Sequence, residues 1–234
     1  MNLLSKSKIA FFTIKYPKPI CYCTMFTHFT VLGERCSGTH FLAHAVYQNF
    51  KLSYNQGQKH FFGHEPQNPN QITLCIVREC VSWIDSFFRT PHHVPPINKT
   101  SLRAFMTNEW YSVHDIPVEK KGQEIMEDRS WLTGERYRNI LEMRRQKLAY
   151  FETELPKQTS HFMIIGYEDL RDNYDDVLQQ IQARFGFVRR NPDQPFVRIE
   201  KYKGTYHHKF EPKEIKHKQE IEDLIRDMGN GTHD

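Results

Sequence analysis

A chain of 234 residues, 38% hydrophobic and 13% aromatic, excludes a disordered protein and suits one α/β domain, alone or with an irregular insert. At this length folding buries roughly 70% of the surface of the unfolded chain, so no disulfide or metal staple is required. A net charge of +4 favours an anionic ligand only mildly and falls well short of a nucleic-acid-binding signature.

The first segment, residues 1–24, has an apolar patch broken by Lys15, Pro17, Lys18 and Pro19. It makes a poor signal peptide, and nothing in the chain approaches the roughly 20 apolar residues that span a bilayer. Residues 1–24 are therefore expected to be an irregular N-terminal extension, and residues 25–234 a single domain with no membrane contact. Cysteines stand at 21, 23, 36, 75 and 80, an odd count without metal-ligand spacing. Reduced thiols in a cytoplasmic setting account for them, with Cys75 a small buried hydrophobe.

Residues 26–32, FTHFTVL, read as a strand that runs into Gly33. From Thr39 the spacing of Phe41, Leu42, Ala45, Val46 and Asn49 predicts a helix, which completes a strand, tight turn and helix. A second strand is expected near residues 59–63. A third, ITLCIV at 72–77, is continuously apolar apart from its threonine, as buried parallel strands are. It ends at Arg78, and a helix follows through Val81, Ile84, Asp85 and Phe88. Residues 92–98 are proline-rich and residues 91–135 form the irregular insert. A long amphipathic helix over 135–155 turns Ile140, Met143, Leu148 and Phe151 to the core, with its charges read as a solvated face. HFMIIGY, ending at Tyr167, is a further strand, followed by a helix stopped by Gly186; residues 211–228 read as a charged helix. Strands alternating with helices predict a three-layer α/β/α domain around a parallel sheet.

The first site candidate is GERCSGTH at 33–40, with the GxxxxG spacing of a phosphate-binding loop. Its glycines let the backbone wrap so that amides and the helix N-terminus face an anion, and Ser37 and Thr39 add hydroxyls. Thr39 stands where nucleoside-triphosphate enzymes carry lysine, which argues against that class. Taken alone, the loop is also compatible with a plain strand-to-helix turn.

The second candidate is Arg78 with Ser86, eight residues on. An arginine at the C-terminal end of a parallel strand lies where open α/β sheets bind ligands, and the pair suits a phosphate monoester. The alternative is an arginine that caps a helix or pairs with Glu79.

In order along the chain, GERCSGTHFL resembles the 5′-phosphosulfate loop of P-loop sulfotransferases, and VRECVSWIDSFF resembles their 3′-phosphate motif. IIGYEDLRDNYDDVLQQIQARFGF is similar to the family's later strand and helix, and KYKGTYHHKF to its C-terminal basic loop. The resemblance covers residues 26 to about 228. It implies a P-loop sulfotransferase-like fold and transfer of a sulfuryl group from 3′-phosphoadenosine 5′-phosphosulfate to an acceptor hydroxyl, leaving adenosine 3′,5′-bisphosphate. Residues 36–39, with Arg35 and His40 beside them, would hold the 5′ end. Arg78 and Ser86 would hold the 3′-phosphate, helped by Lys201, Lys203 and Gly204. No metal is needed for that chemistry. The acceptor is open, with a carbohydrate preferred, and so is the oligomeric state.

One departure bears on catalysis. The family places a basic residue where this chain has Cys36. Arg35 or His40 would have to serve instead, unless Arg35 is merely a surface residue; the other outcomes are a non-catalytic nucleotide-binding relative or a P-loop kinase. For the acceptor's base, residues 58, 60, 62 and 64 share one face if they form a strand. His64 is preferred, then His60, then Glu65, against the alternative that all three are loop or edge residues. Trp83, Trp110 and Trp131 read as packing residues, and the pairs His92–His93 and His207–His208 as surface histidines.

Overall fold

The computed structural model describes residues 26–57, 59–64, 66–199 and 214–230. In chain order it contains β1 (His28–Gly33), α1 (Thr39–Asn49), β2 (Ser53–Tyr54), β3 (Ile72–Val77), α2 (Cys80–Arg89) and α3 (Leu102–Thr107). After these come α4 (Ile140–Ala149), α5 (Leu155–Gln158), β4 (Phe162–Gly166), α6 (Tyr167–Asp172), α7 (Tyr174–Phe185) and α8 (Lys218–Asn230). Among the described residues the strands form one all-parallel sheet in the order β2-β1-β3-β4.

Alternation along the strands sends side chains to two separate cores. Phe29, Val31, Ile72, Leu74, Ile76, Met163 and Ile165 meet α1, α6 and α7 on one face. Leu32, Cys75 and Phe162 meet Phe62, Tyr150, Phe151 and Leu155 on the other. Helices thus cover both faces of the sheet, giving the expected α/β architecture with three layers. A third core packs α2, α3, α4 and α8 around Trp83, Phe87, Phe105 and Trp110. α8 is also held by His217, whose backbone N–H and Nδ1 both reach Asp85 Oδ1, at 3.2 and 2.8 Å.

The helix starts follow from capping. Glu79 accepts from the amides of Val81 and Ser82 at the head of α2, and Asn139 accepts from Glu142 at the head of α4. α7 ends at Gly186, which is left-handed with φ 67°. α4 starts later than the pattern suggested and continues through a π-type turn at Tyr150–Glu154 into α5.

Two sequence expectations are corrected. The second strand is Ser53–Tyr54 and not residues 59–63, which cross the end of β1: the Gly33 amide donates to the Lys59 carbonyl at 3.0 Å. The charges of α4 are not all solvated, because Arg144 and Lys147 point inward and are 8% and 2% exposed. The insert is irregular apart from α3 and short 3-10 turns, one of them at Met126–Asp128. No helix among the described residues is long and apolar enough to cross a membrane.

Candidate functional site

From β1 the chain goes to β2 on one side and then to β3 on the other, so the order reverses between β1 and β3. Open α/β sheets bind ligands outside the carboxyl ends of the strands at such a point. The loop at 34–38 leaves β1 there, and Arg78 leaves β3 there.

The loop is built by two left-handed residues, Gly38 at φ 100° and Cys36 at φ 61°. Glycine suits the first at no steric cost, and a Cβ on Gly38 would stand 2.5 Å from Tyr167 Cδ2. Cys36 adopts a conformation that costs a non-glycine residue about 1–2 kcal/mol, and its surroundings hold it there. Arg78 Nη1 donates to the Cys36 carbonyl at 3.1 Å, and the thiol packs against Thr90. Burial raises the Cys36 thiol pKa, which disfavours the thiolate.

Gly38 caps α1 without any side-chain hydrogen bond, and the first turn holds no acidic residue. The opening amides of an α-helix have no intrahelical acceptor, and a glycine at the cap brings no side chain of its own to them. Ser37 does not add a donor for a ligand, as the sequence suggested: its hydroxyl is fully buried and donates to the Glu34 carbonyl at 2.7 Å. Thr39, 4% exposed, forms no side-chain hydrogen bond among the described residues.

Arg78 stands across from the loop. Its Nε donates to Ser82 Oγ at 3.1 Å and its guanidinium lies 4.6 Å from the Tyr167 ring centre. Nη2 donates to no group among the described residues, so part of the fork is open. Ser86, the predicted partner, lies one turn beyond Ser82 on the same side of α2 and does not bond Arg78. Ser82, four residues from Arg78, is the partner that the family spacing did not single out. Glu168, the first acidic residue after Tyr167, accepts from the Glu79 amide and from Ser82 Oγ, at 3.2 Å for the latter. Lys201, Lys203 and Gly204 lie outside the described residues, as do His207, His208, Gln58 and Glu65.

Arg35 does not reach into the loop, and it is not on the surface. Its guanidinium is 1% exposed, donates to Asp128 Oδ2 at 3.0 Å and to the His93 carbonyl at 3.1 Å, and lies 4.9 Å from the Phe87 ring centre. Asp128 also accepts from Lys147 and from the Ser112 hydroxyl. Beside this group, Glu34 pairs with Arg144, which donates to the Arg78 carbonyl at 2.6 Å. Arg35 and Lys147 thus pair with Asp128 and Arg144 with Glu34, and Asp115 also acts on Arg35. Burial raises the pKa of Glu34 against the pull of Arg144, and its Oε1 has no hydrogen-bond partner among the described residues.

The histidines divide. His60 Nδ1 lies 2.8 Å from the Gly33 carbonyl, which can only accept, so the proton sits on Nδ1 and Nε2 is the acceptor nitrogen. Burial, with Lys59 adding to it, holds its pKa well below the usual imidazole value and keeps the ring neutral. His64 is exposed and donates through Nε2 to the Arg129 carbonyl at 3.0 Å, in the insert. The strand argument that grouped them fails, because Phe62 between them enters the core beside Phe151. His92 is half-buried: burial lowers its pKa to about 4, and its ring centre lies 6.2 Å from that of His60. Trp83 and Trp110 are fully buried and Trp131 half-buried, all in packing roles. No group of three or more His, Cys, Asp or Glu among the described residues is arranged to hold a metal ion. Comparison with protein-family models, with curated proteins and with solved structures finds no match to this chain.

Proposed function

We propose that the chain binds 3′-phosphoadenosine 5′-phosphosulfate across the ends of β1 and β3 and transfers its sulfuryl group to an acceptor hydroxyl. One observation carries this reading: the glycine loop that leads into α1 meets Arg78, whose Nη1 donates to the Cys36 carbonyl at 3.1 Å, at the point where the strand order reverses. The amides of residues 38–40 and the Thr39 hydroxyl receive the 5′-phosphosulfate. Arg78 receives the 3′-phosphate, with Ser82 and Ser86 along the same side of α2.

His60 is the base in this reading, in place of His64. Its Nε2 takes the acceptor proton as the acceptor oxygen bonds to sulfur and the bond from sulfur to the 5′-phosphate oxygen breaks. The bisphosphate leaves with the electron pair, onto the amides that already hold it. A carbohydrate hydroxyl is the preferred acceptor.

A titration with adenosine 3′,5′-bisphosphate tests the reading. Wild type binds saturably, and Arg78→Ala loses about 1.5–3 kcal/mol, or roughly ten- to a hundred-fold in affinity. No saturable binding by the wild type would refute it. A second reading, nucleotide binding without transfer, is favoured by the engagement of Arg35 with Asp128, which leaves the loop without a basic residue of its own. Binding of the bisphosphate with no turnover on any of a broad panel of acceptors would select it.

A further inference from the structure

The loop nevertheless has a cation beside it, contributed by another segment. Lys59 is tied to both ends of the loop: its carbonyl accepts from the Gly33 amide at 3.0 Å, and its Nζ lies 2.8 Å from His40 Nε2. Gly33 begins the loop and His40 lies in the first turn of α1, so the lysine side chain runs alongside the loop between them. The backbone that carries it is anchored as well, since the next residue donates from Nδ1 to the Gly33 carbonyl and accepts from Lys147 Nζ at 2.8 Å. A lysine positioned from both ends loses little further freedom when a ligand arrives.

We infer that Lys59 supplies the positive charge that the loop itself lacks, contacting the outer sulfonate of the bound phosphosulfate beside His40. The inference rests on the reading of the site given above. Its electrostatics agree: burial lowers Lys59 to about 8 and, with Lys59 beside it, lowers His40 to about 4. His40 is then a neutral acceptor for the ammonium. The anionic sulfonate placed against Lys59 restores the favourable environment that burial removed. Thr39, standing where triphosphate enzymes carry lysine, leaves room for the charge to come from outside the loop.

The test compares wild type, Lys59→Met and Lys59→Arg by calorimetric titration with two ligands, the bisphosphate and the phosphosulfate. Lys59→Met keeps the buried stem and removes the charge. It should weaken the phosphosulfate about tenfold or more while the bisphosphate changes less than about threefold, and Lys59→Arg should recover most of the loss. Unchanged phosphosulfate affinity, or an equal loss for both ligands, overturns the role of Lys59 and leaves the site reading standing. A wild type that binds neither ligand overturns the site reading and this inference with it. Amine labelling of the unmodified protein provides a measurement that needs no variant. Saturating phosphosulfate should protect Lys59 from acylation, and labelling unaffected by ligand overturns the assignment.

Discussion

Replacing Asp128 by alanine tests whether the buried charges under the loop hold the domain together. The Asp128 carboxylate is completely buried and forms ion pairs with both Arg35 and Lys147, whose side chains are 1% and 3% exposed. Removing it leaves two buried cations near each other, with Glu34 already engaged by Arg144. Breaking a buried ion pair from one side costs about 3–5 kcal/mol, against a total domain stability of about 5–15 kcal/mol. At roughly 2–4 °C per kcal/mol for a domain of this size, the melting temperature falls by about 6–20 °C. The contrast is Arg138→Ala, which removes an exposed i,i+4 pair with Glu142 and should cost at most about 0.5 kcal/mol.

The effect of pH has a definite sign. Burial alone would raise Asp128, but Lys147 and Arg35 outweigh it and hold its pKa below the ordinary 3.8. A depressed carboxylate contributes stability that is present above its unfolded pKa and lost as pH falls through the folded one. The gap between wild type and Asp128→Ala is therefore full at pH 7 and narrows only below about pH 4. Thermal unfolding followed by circular dichroism at both pH values measures it. A variant that melts within about 2 °C of wild type at pH 7, or no further below it than Arg138→Ala, would refute this account of the floor.

Two further outcomes concern the loop and the base. Gly38→Ala places a methyl 2.5 Å from Tyr167 Cδ2 at a φ of 100°, so bisphosphate binding should be lost; titration at wild-type affinity would show that the loop is not the anion site. His60→Gln should lower turnover, read as bisphosphate released in the presence of an acceptor, by about a hundred-fold or more while bisphosphate binding persists. His64→Gln should leave turnover close to wild type, and the reverse ranking would move the base to His64.

The elements that frame the site could be read locally. β1 running into Gly33, the apolar face of α1, the continuous run of β3 and the Gly186 stop after α7 are each encoded within a few residues by periodicity, propensity and backbone freedom. Arg78 at the end of β3 was legible for the same reason. The family spacing pointed to Ser86, but the helical repeat brings Ser82 to the arginine first. No local signal separated His60 from His64, because the strand that would have paired them is replaced by a crossing held by Gly33 and Lys147.

The sequence by itself determined the strand, the glycine loop, the helix and the parallel sheet that places them. Only the tertiary structure decided which charges serve the loop. Arg35 meets an aspartate 93 residues away and Glu34 an arginine 110 residues away, so both turn inward. Lys59, from a segment that crosses the end of β1, comes to lie beside His40 instead. The fate of a charged side chain depends on the partner and the burial that it finds in space, and neither is recorded in the residues on either side of it.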